Sequence, residues 1–339
     1  MRFRRWVWIV SLAVVVVLGM AATVTWYLAT RHLMQGFAEW QASLRQAGWQ
    51  VDAGTPIAGG WPYAATATIP AVAISDRGRM VPGGIDWRAA NLRLRVYAWH
   101  PLTLVASLSG KQSLAIGAVS SGYTAERMAL AIPLDSDAPE QSADVTIARL
   151  RVGNGGLESL HALVKFHPTA AHDGSTADIS AGAESITLTG EAARPLGSQI
   201  SRVRLEAALS GTLASGLDPK AAAAIWRASG GALHIRDLQL DWGPLDLTAS
   251  GTLSLDENLQ LQGDGTAHAV GYAETLDALA THAVLTRAAA TAAKAVLSLL
   301  ASYPANGGAP SVDVPLALKN GTLAMHQVPL ARLPQIVWP

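Results

Sequence analysis

The residues able to do chemistry in this chain are few and scattered. It holds nine histidines and 25 carboxylates, with no cysteine. Without thiols, a metal site would have to be built from imidazole and carboxylate. His161, His167 and His172 with Asp173 come nearest to one. Their spacings match no H-x-x-x-H pair on a helix, and they straddle a polar stretch. They read as solvated loop histidines, and no metal ligand is assigned. His100 and His326 fall in strand-like stretches and read as ordinary surface or core residues. Asp135 with Asp137 or Glu140 could pair for acid–base work, but a loop of charges reads as a solvated face.

Nucleophilic chemistry is no better served. Ser120 lies in Gly117-Ala-Val-Ser-Ser-Gly122, which has the wrong spacing for a G-x-S-x-G elbow. Gly153-Asn-Gly-Gly156 lacks the G-x-G-x-x-G register, and no Walker loop is present. The expectation is therefore a protein with no catalytic residues, no cofactor and no enzymatic activity. Formal net charge is zero and no basic stripe exists, so nucleic acid is not an expected partner. Four tryptophans remain. Trp61, Trp87, Trp99 and Trp242 could line a hydrophobic ligand site, since such pockets favour aromatic walls. Each could equally be a core or corner residue.

What would position them begins with the stretch Trp6 to Thr30, which carries no Asp, Glu, Lys, Arg or His. About 20 apolar helical residues cross the roughly 30 Å hydrocarbon layer. A single Lys or Arg there costs about 2.5–3.5 kcal/mol, so the absence of charge is informative. Trp6, Trp8, Trp26 and Tyr27 lie near the ends, where amphipathic rings favour headgroups. Arg2, Arg4 and Arg5 precede the span and hold the N-terminus in the cytoplasm, so the bulk of the chain is exported. The rival reading is a cleaved signal peptide, with Val7–Met20 as its h-region and Gly19-Met20-Ala21 as the cleavage site.

The chain as a whole is half hydrophobic and 15% charged, with 31 glycines. That texture suits many short strands joined by turns. Residues 1–30 form the cytoplasmic tip and anchor. Residues 31–48 form an amphipathic stalk helix, striped by Leu33, Phe37, Trp40, Leu44 and Ala47 and ended by a left-handed cap at Gly48. Its stripe is expected to pack on the following sheet. Alternation predicts strands over Tyr63–Ile69 and Ala71–Ser75, broken by Pro70. The turn Gly59-Gly60-Trp61-Pro62-Tyr63 should throw Trp61 inward. Ile85–Ala106 alternates strongly, with an interruption at Trp99-His100-Pro101. Strands are expected again at 127–132, 145–152, 160–166, 186–189, 201–213, 232–241, 245–255 and 258–269. Asp218-Pro219 opens a short helix. One long helix covers residues 272–302. Lys319-Asn320-Gly321 turns a hairpin, and Val328–Pro339 is an irregular tail.

The pattern W-x-P-L-x-L-x-A-S occurs twice, at Trp99–Ser107 and Trp242–Ser250, each time after an alternating strand. Gly-Thr-Leu recurs at Gly211, Gly251 and Gly321. The reading is two related β-rich halves, residues 49–195 and 196–339. The expected fold class is mainly β (α+β), an extended curved antiparallel sheet with one long covering helix and an N-terminal transmembrane helix.

Gly60-Trp-Pro-Tyr63, the Trp-x-Pro corners, the G-x-L-x-L strand and the Val-Pro-Leu…Leu-Pro tail resemble the bacterial family named domain of unknown function 2125. That family is found in Gram-negative bacteria and has no known activity. The resemblance implies an inner-membrane-anchored periplasmic protein. Gly251-Thr-Leu-Ser-Leu-Asp256 is also similar to strand repeats of AsmA-like envelope proteins, which form apolar grooves and are associated with lipid transport. The expected partners are the membrane and a lipid or other hydrophobic ligand. The alternative is a structural or protein-interaction component of the envelope, with a protein partner.

Overall fold

Alternation of apolar and polar residues, with turn residues between, gives strands throughout most of the chain. The computed structural model describes residues 2–76, 84–135, 141–167, 174–190, 196–214, 219–303, 309–325, 328–336 and 338, with the side chains of 2–15 and 325–331 excepted. The carboxylates Asp137 and Glu140, the cap Asp218 and the residues His172, Asp173 and His326 lie outside the described residues. The fold is mainly β, and every described strand pairing is antiparallel. Two compact units divide the chain: Met1–Thr124 with Met128–Asp135, and Ala125–Arg127 with Ser136–Pro339. The boundary drawn from sequence after residue 195 falls instead inside the second unit, between two strands that pair with each other.

In the first unit, helix α1 (Arg2–Gln46) precedes β1 (Gln50–Asp52), β2 (Ile57–Gly59), β3 (Ala64–Asp76), β4 (Ile85–Tyr97), β5 (His100–Ile116), β6 (Val119–Thr124) and β7 (Arg127–Pro133). β3 pairs with β1 and β2 along one edge and with β4 along the other. β5 follows β4, and its outer edge carries β7 and then β6. The stretches read as anchor and stalk are one continuous helix. It lays Trp26, Ala29, Leu33, Met34 and Phe37 on Ala65, Ala67, Ile69, Leu94 and Val96. Burying Leu33 and Phe37 contributes about 1.5–3 kcal/mol each. Trp40 stays exposed, so the stripe that packs begins earlier than the spacing from Leu33 suggests. Gly48 ends the helix at φ 94°, with Trp49 N–H donating to Leu44 O and Gly48 N–H to Arg45 O.

β3 continues past Pro70 instead of ending there, with a local kink at Ala71, whose φ is 50°. β2 pairs with residues 66–68 and β1 with residues 73–75, so Pro70 falls in the gap between them. A missing N–H costs nothing at such a gap, and the Pro70 carbonyl accepts from Gly54 N–H at 2.8 Å.

The second unit is a meander in which successive strands pair: β8 (Gln141–Val152), β9 (Gly155–Phe166), β10 (Ser175–Thr187), β11 (Gln199–Ser210), β12 (Ala232–Trp242), β13 (Leu245–Leu255), β14 (Leu261–Val270), β15 (Ser311–Lys319), β16 (Thr322–Met325) and β17 (Val328–Arg332). Helix α2 (Pro219–Ala228) sits between β11 and β12. The single helix expected over 272–302 is two, α3 (Tyr272–Thr281) and α4 (Arg287–Leu300). Ala283 takes φ 58°, and Thr286 Oγ1 accepts from Ala289 N–H at 3.2 Å to cap α4. Asn320 and Gly321 both have positive φ, as a two-residue hairpin requires. β17 lies within the tail expected to be irregular.

Both copies of the W-x-P-L motif sit at hairpins, but the turns differ. Tyr97 faces His100 across Ala98-Trp99, whereas Trp242 faces Leu245 across Gly243-Pro244. The turn has moved by two positions relative to the motif.

Candidate hydrophobic ligand-binding face

The register of the second unit sorts its side chains into rows. Val145 faces Ala162, Ala162 faces Ala181, and Ala181 faces Leu205. The row continues through Leu238, Ala249, Ala267 and Val314. The neighbouring row on the same face runs Ile147, Leu160, Ala183, Val203, Leu240, Leu247, Ala269 and Val312. Every position in both rows is aliphatic. Alternate residues of a strand point to opposite faces, so the intervening row lies on the other side. That row is Thr146, His161, Gly182, Arg204, Gln239, Thr248, His268 and Asp313. One face is therefore apolar from β8 to β15 and the other polar.

The polar face is held by cross-strand pairs. His161 Nε2 lies 3.1 Å from Asp144 Oδ2, His167 Nε2 lies 3.0 Å from Asp178 Oδ2, and His268 Nδ1 lies 2.8 Å from Asp313 Oδ1. Such solvated pairs contribute about 0–1 kcal/mol each. His161 and His167 thus take separate carboxylates on separate strands. Among the described residues no group of three or more His, Asp or Glu comes together.

Among the described residues the apolar face is buried at Ala177 and Ala207 and, under helices, at its β15 end. Tyr272 of α3 and Leu297 of α4 bury Val312 and Val314 of β15. Ala223 and Trp226 of α2, with Trp338, pack on Leu255 and Leu259 beyond the end of β13. Among the described residues no cluster formed under a helix contains a side chain from β8 to β12. Val145, Leu160, Val203, Leu205, Leu238 and Leu240 are accordingly half-buried, not core. At about 4.8 Å per strand the six strands β8–β13 span about 24 Å, so two or three rows expose on the order of 300 Å². A patch of that size matches the largest apolar patch of a typical monomeric protein, which is often functional.

The four candidate tryptophans are divided between the two units. Trp242 belongs to the apolar face, in register with Ile200 and Leu245, with its Nε1 donating to Gly197 O at 2.9 Å. The other three lie in the first unit. Trp87 is packed against the α1 cluster and donates to Tyr123 Oη at 2.7 Å. Trp61 and Trp99 stand in turns at the other end of β4, about 33 Å from Trp87 at 3.3 Å per residue. Trp61 is exposed instead of turned inward. Gly60, at φ 89°, is the residue packed into the sheet: a Cβ there would lie 2.5 Å from Ala64 O and 2.9 Å from Thr66 Cγ2.

A family model described as "Uncharacterized protein conserved in bacteria (DUF2125)" matches residues 26–334. The chain belongs to the DUF2125 family. That match begins at Trp26, the residue where α1 starts to pack on the sheet, and ends just after β17. It therefore takes in every described strand of both units and the whole apolar face. No curated protein and no solved structure matches this member of the family. The likeness of Gly251–Asp256 to AsmA-like strands is carried by those six residues of β13 and its end alone. The aliphatic row of β10 went unseen in the sequence, because its alanine, glycine and serine give little alternation to detect.

Proposed function

We propose that this DUF2125 protein is a membrane-tethered envelope protein that binds lipid or another amphiphile on the apolar face of its second unit. The observation that carries the reading is the aliphatic face of β8–β13, ordered in unbroken rows and left half-buried. A wide sheet face of Leu, Val, Ile and Ala gains about 25 cal/mol for each Å² of apolar area it removes from water. It offers no charge or hydrogen-bonding group to orient a polar substrate, so the reading is a binding protein and not an enzyme. A hydrocarbon chain is the ligand such a surface accepts.

The tether is read from Trp6–Thr30, with Arg2, Arg4 and Arg5 keeping the N-terminus cytoplasmic and the two units in the periplasm. Among the described residues no helix is long and apolar enough to cross a membrane, and the side chains of 2–15 lie outside that statement. Within the described part of α1, Val16, Val17, Leu18, Met20 and Val24 are exposed.

Native mass spectrometry of the detergent-purified full chain tests the reading against a Leu205→Glu/Leu238→Glu variant. Lipid held by the tether is common to both. Wild type should carry additional lipid that the variant loses. Equal lipid on both proteins contradicts the proposal. A protein partner retained by wild type and lost by the variant would favour an interaction component instead.

A further inference from the structure

One end of the first unit is apolar and uncovered. Three turns meet there: 59–63 before β3, 98–99 between β4 and β5, and the segment after β7. Ala64 faces Tyr97, Ala98 N–H donates to Tyr63 O, and Leu134 N–H donates to Leu102 O, which ties the three together. They present Trp61, Tyr63, Trp99 and Leu102 at 56%, 70%, 59% and 61% exposure, with Leu134 beside them. Trp99 stacks on Tyr97 at a centroid distance of 5.0 Å. Asp135, at the outer margin, is the one carboxylate among the described residues of these segments.

Helix α1 is fastened to this same end. Trp61 Nε1 donates to Thr23 Oγ1 at 3.2 Å, and Trp26 Nε1 donates to Gly59 O at 3.0 Å. The hydrocarbon layer takes about 20 helical residues. Counted from Trp6, directly after the Arg cluster, that length ends at Thr25. The level at which α1 would leave the hydrocarbon is therefore the level of Thr23 and Trp26, which is where the exposed aromatic turns are attached. Trp and Tyr favour the headgroup layer because each has an apolar body and a polar tip.

We infer that this end of the first unit rests in the headgroup layer of the bilayer, with Trp61, Tyr63, Trp99 and Leu102 inserted among the lipids. The inference builds on the tether described above. It adds a docking surface that sets how the unit stands on the membrane, a role a flexible linker would not provide. The sheet then begins at the bilayer surface, and β4 and β5 rise from it.

The absence of cysteine makes the test clean. Nitroxide labels are placed singly at Tyr63→Cys, Leu102→Cys and Leu134→Cys, at Val17→Cys within α1, and at Ser120→Cys. Ser120 faces Ala115 on β5, about 50 Å along the strand from His100. The full chain is reconstituted in phosphatidylethanolamine–phosphatidylglycerol vesicles. Accessibility to oxygen relative to a water-soluble nickel chelate then gives depth. The expected result is a ratio several-fold higher at 63, 102 and 134 than at 120, and higher still at 17. A high ratio at 17 with 63, 102 and 134 no different from 120 overturns the docking surface while leaving the tether. A ratio at 17 as low as at 120 overturns the tether and the docking surface together.

Discussion

Leu205 and Leu238 stand directly opposite each other on β11 and β12, half-buried, and among the described residues neither belongs to a cluster packed under a helix. Two leucines paired at the centre of a sheet normally belong to a core. Here the layer that would complete that core is confined to β14 and β15, where Tyr272 and Leu297 close over Val312 and Val314. The same row is thus buried at one end and open along the rest.

The half-burial has an energetic signature. Leu→Ala in a closed core costs about 2–5 kcal/mol through lost transfer energy and a residual cavity. Leu238 is half-buried and, among the described residues, packs in no cluster under a helix. Leu238→Ala in lipid-free protein should cost clearly less, about 1–2 kcal/mol, while Leu297→Ala on the buried side of α4 should fall within the core range. Urea unfolding of the two variants checks the order, and equal losses would show that β12 is closed over.

Gly54 is fixed by its neighbour. A Cβ at this position would lie 2.7 Å from Pro70 Cγ and 2.9 Å from Pro70 O. Its N–H also supplies the Pro70 carbonyl with its hydrogen bond at the gap between β1 and β2. Gly54→Val should lower stability by about 1–3 kcal/mol through overpacking, read as a fall in Tm. An unchanged Tm would mean that the β1–β2 connection can move away at no cost.

Gln112 is buried at 4% exposure, and neither its Oε1 nor its Nε2 has a hydrogen-bond partner. It lines an open cavity of about 1060 Å³ together with Asp52, Arg88 and Lys111. An unsatisfied buried amide costs about 1–3 kcal/mol. Gln112→Met keeps the length and removes the polar atoms, so thermal unfolding should shift upward. A downward shift would show that the amide is satisfied in the working protein.

Trp26 joins helix to sheet through its Nε1 bond to Gly59 O and its packing on the β3–β4 face. Trp26→Phe removes the hydrogen bond and keeps most of the apolar area. The expected loss is about 1 kcal/mol, with hydrogen exchange accelerating in β2 and in α1 from residue 26. Unchanged exchange in both would separate α1 from the sheet.

Much of the strand pattern was legible because Leu, Val and Ile alternate with charges in β4, β12 and β13, whose limits follow the alternation closely. β10 was not, since Ser-Thr-Ala-Asp-Ile-Ser-Ala-Gly-Ala reads as loop until its partners in β9 and β11 are known. The rows themselves depend on register, which is a property of pairs of strands and not of any one. Pro70 and Trp61 were misjudged for a related reason. Whether a proline breaks a strand depends on what lies beside it, and Gly60, not Trp61, is the residue the β2–β3 turn has to pack. The break before α4 turned on one alanine with positive φ inside an alanine-rich run that otherwise favours helix.

The central claim concerns a face, and neighbouring residues of one strand report on opposite faces. A photoreactive amino acid placed at Leu205 or at Arg204, and at Leu238 or at Gln239, compares the two sides of the sheet within the full chain in bacterial cells. After irradiation, mass spectrometry of the purified protein reads the adducts. Lipid adducts at 205 and 238, with none at 204 and 239, are the predicted result. Adducts on neither side, or equally on both, would contradict a lipid-binding face.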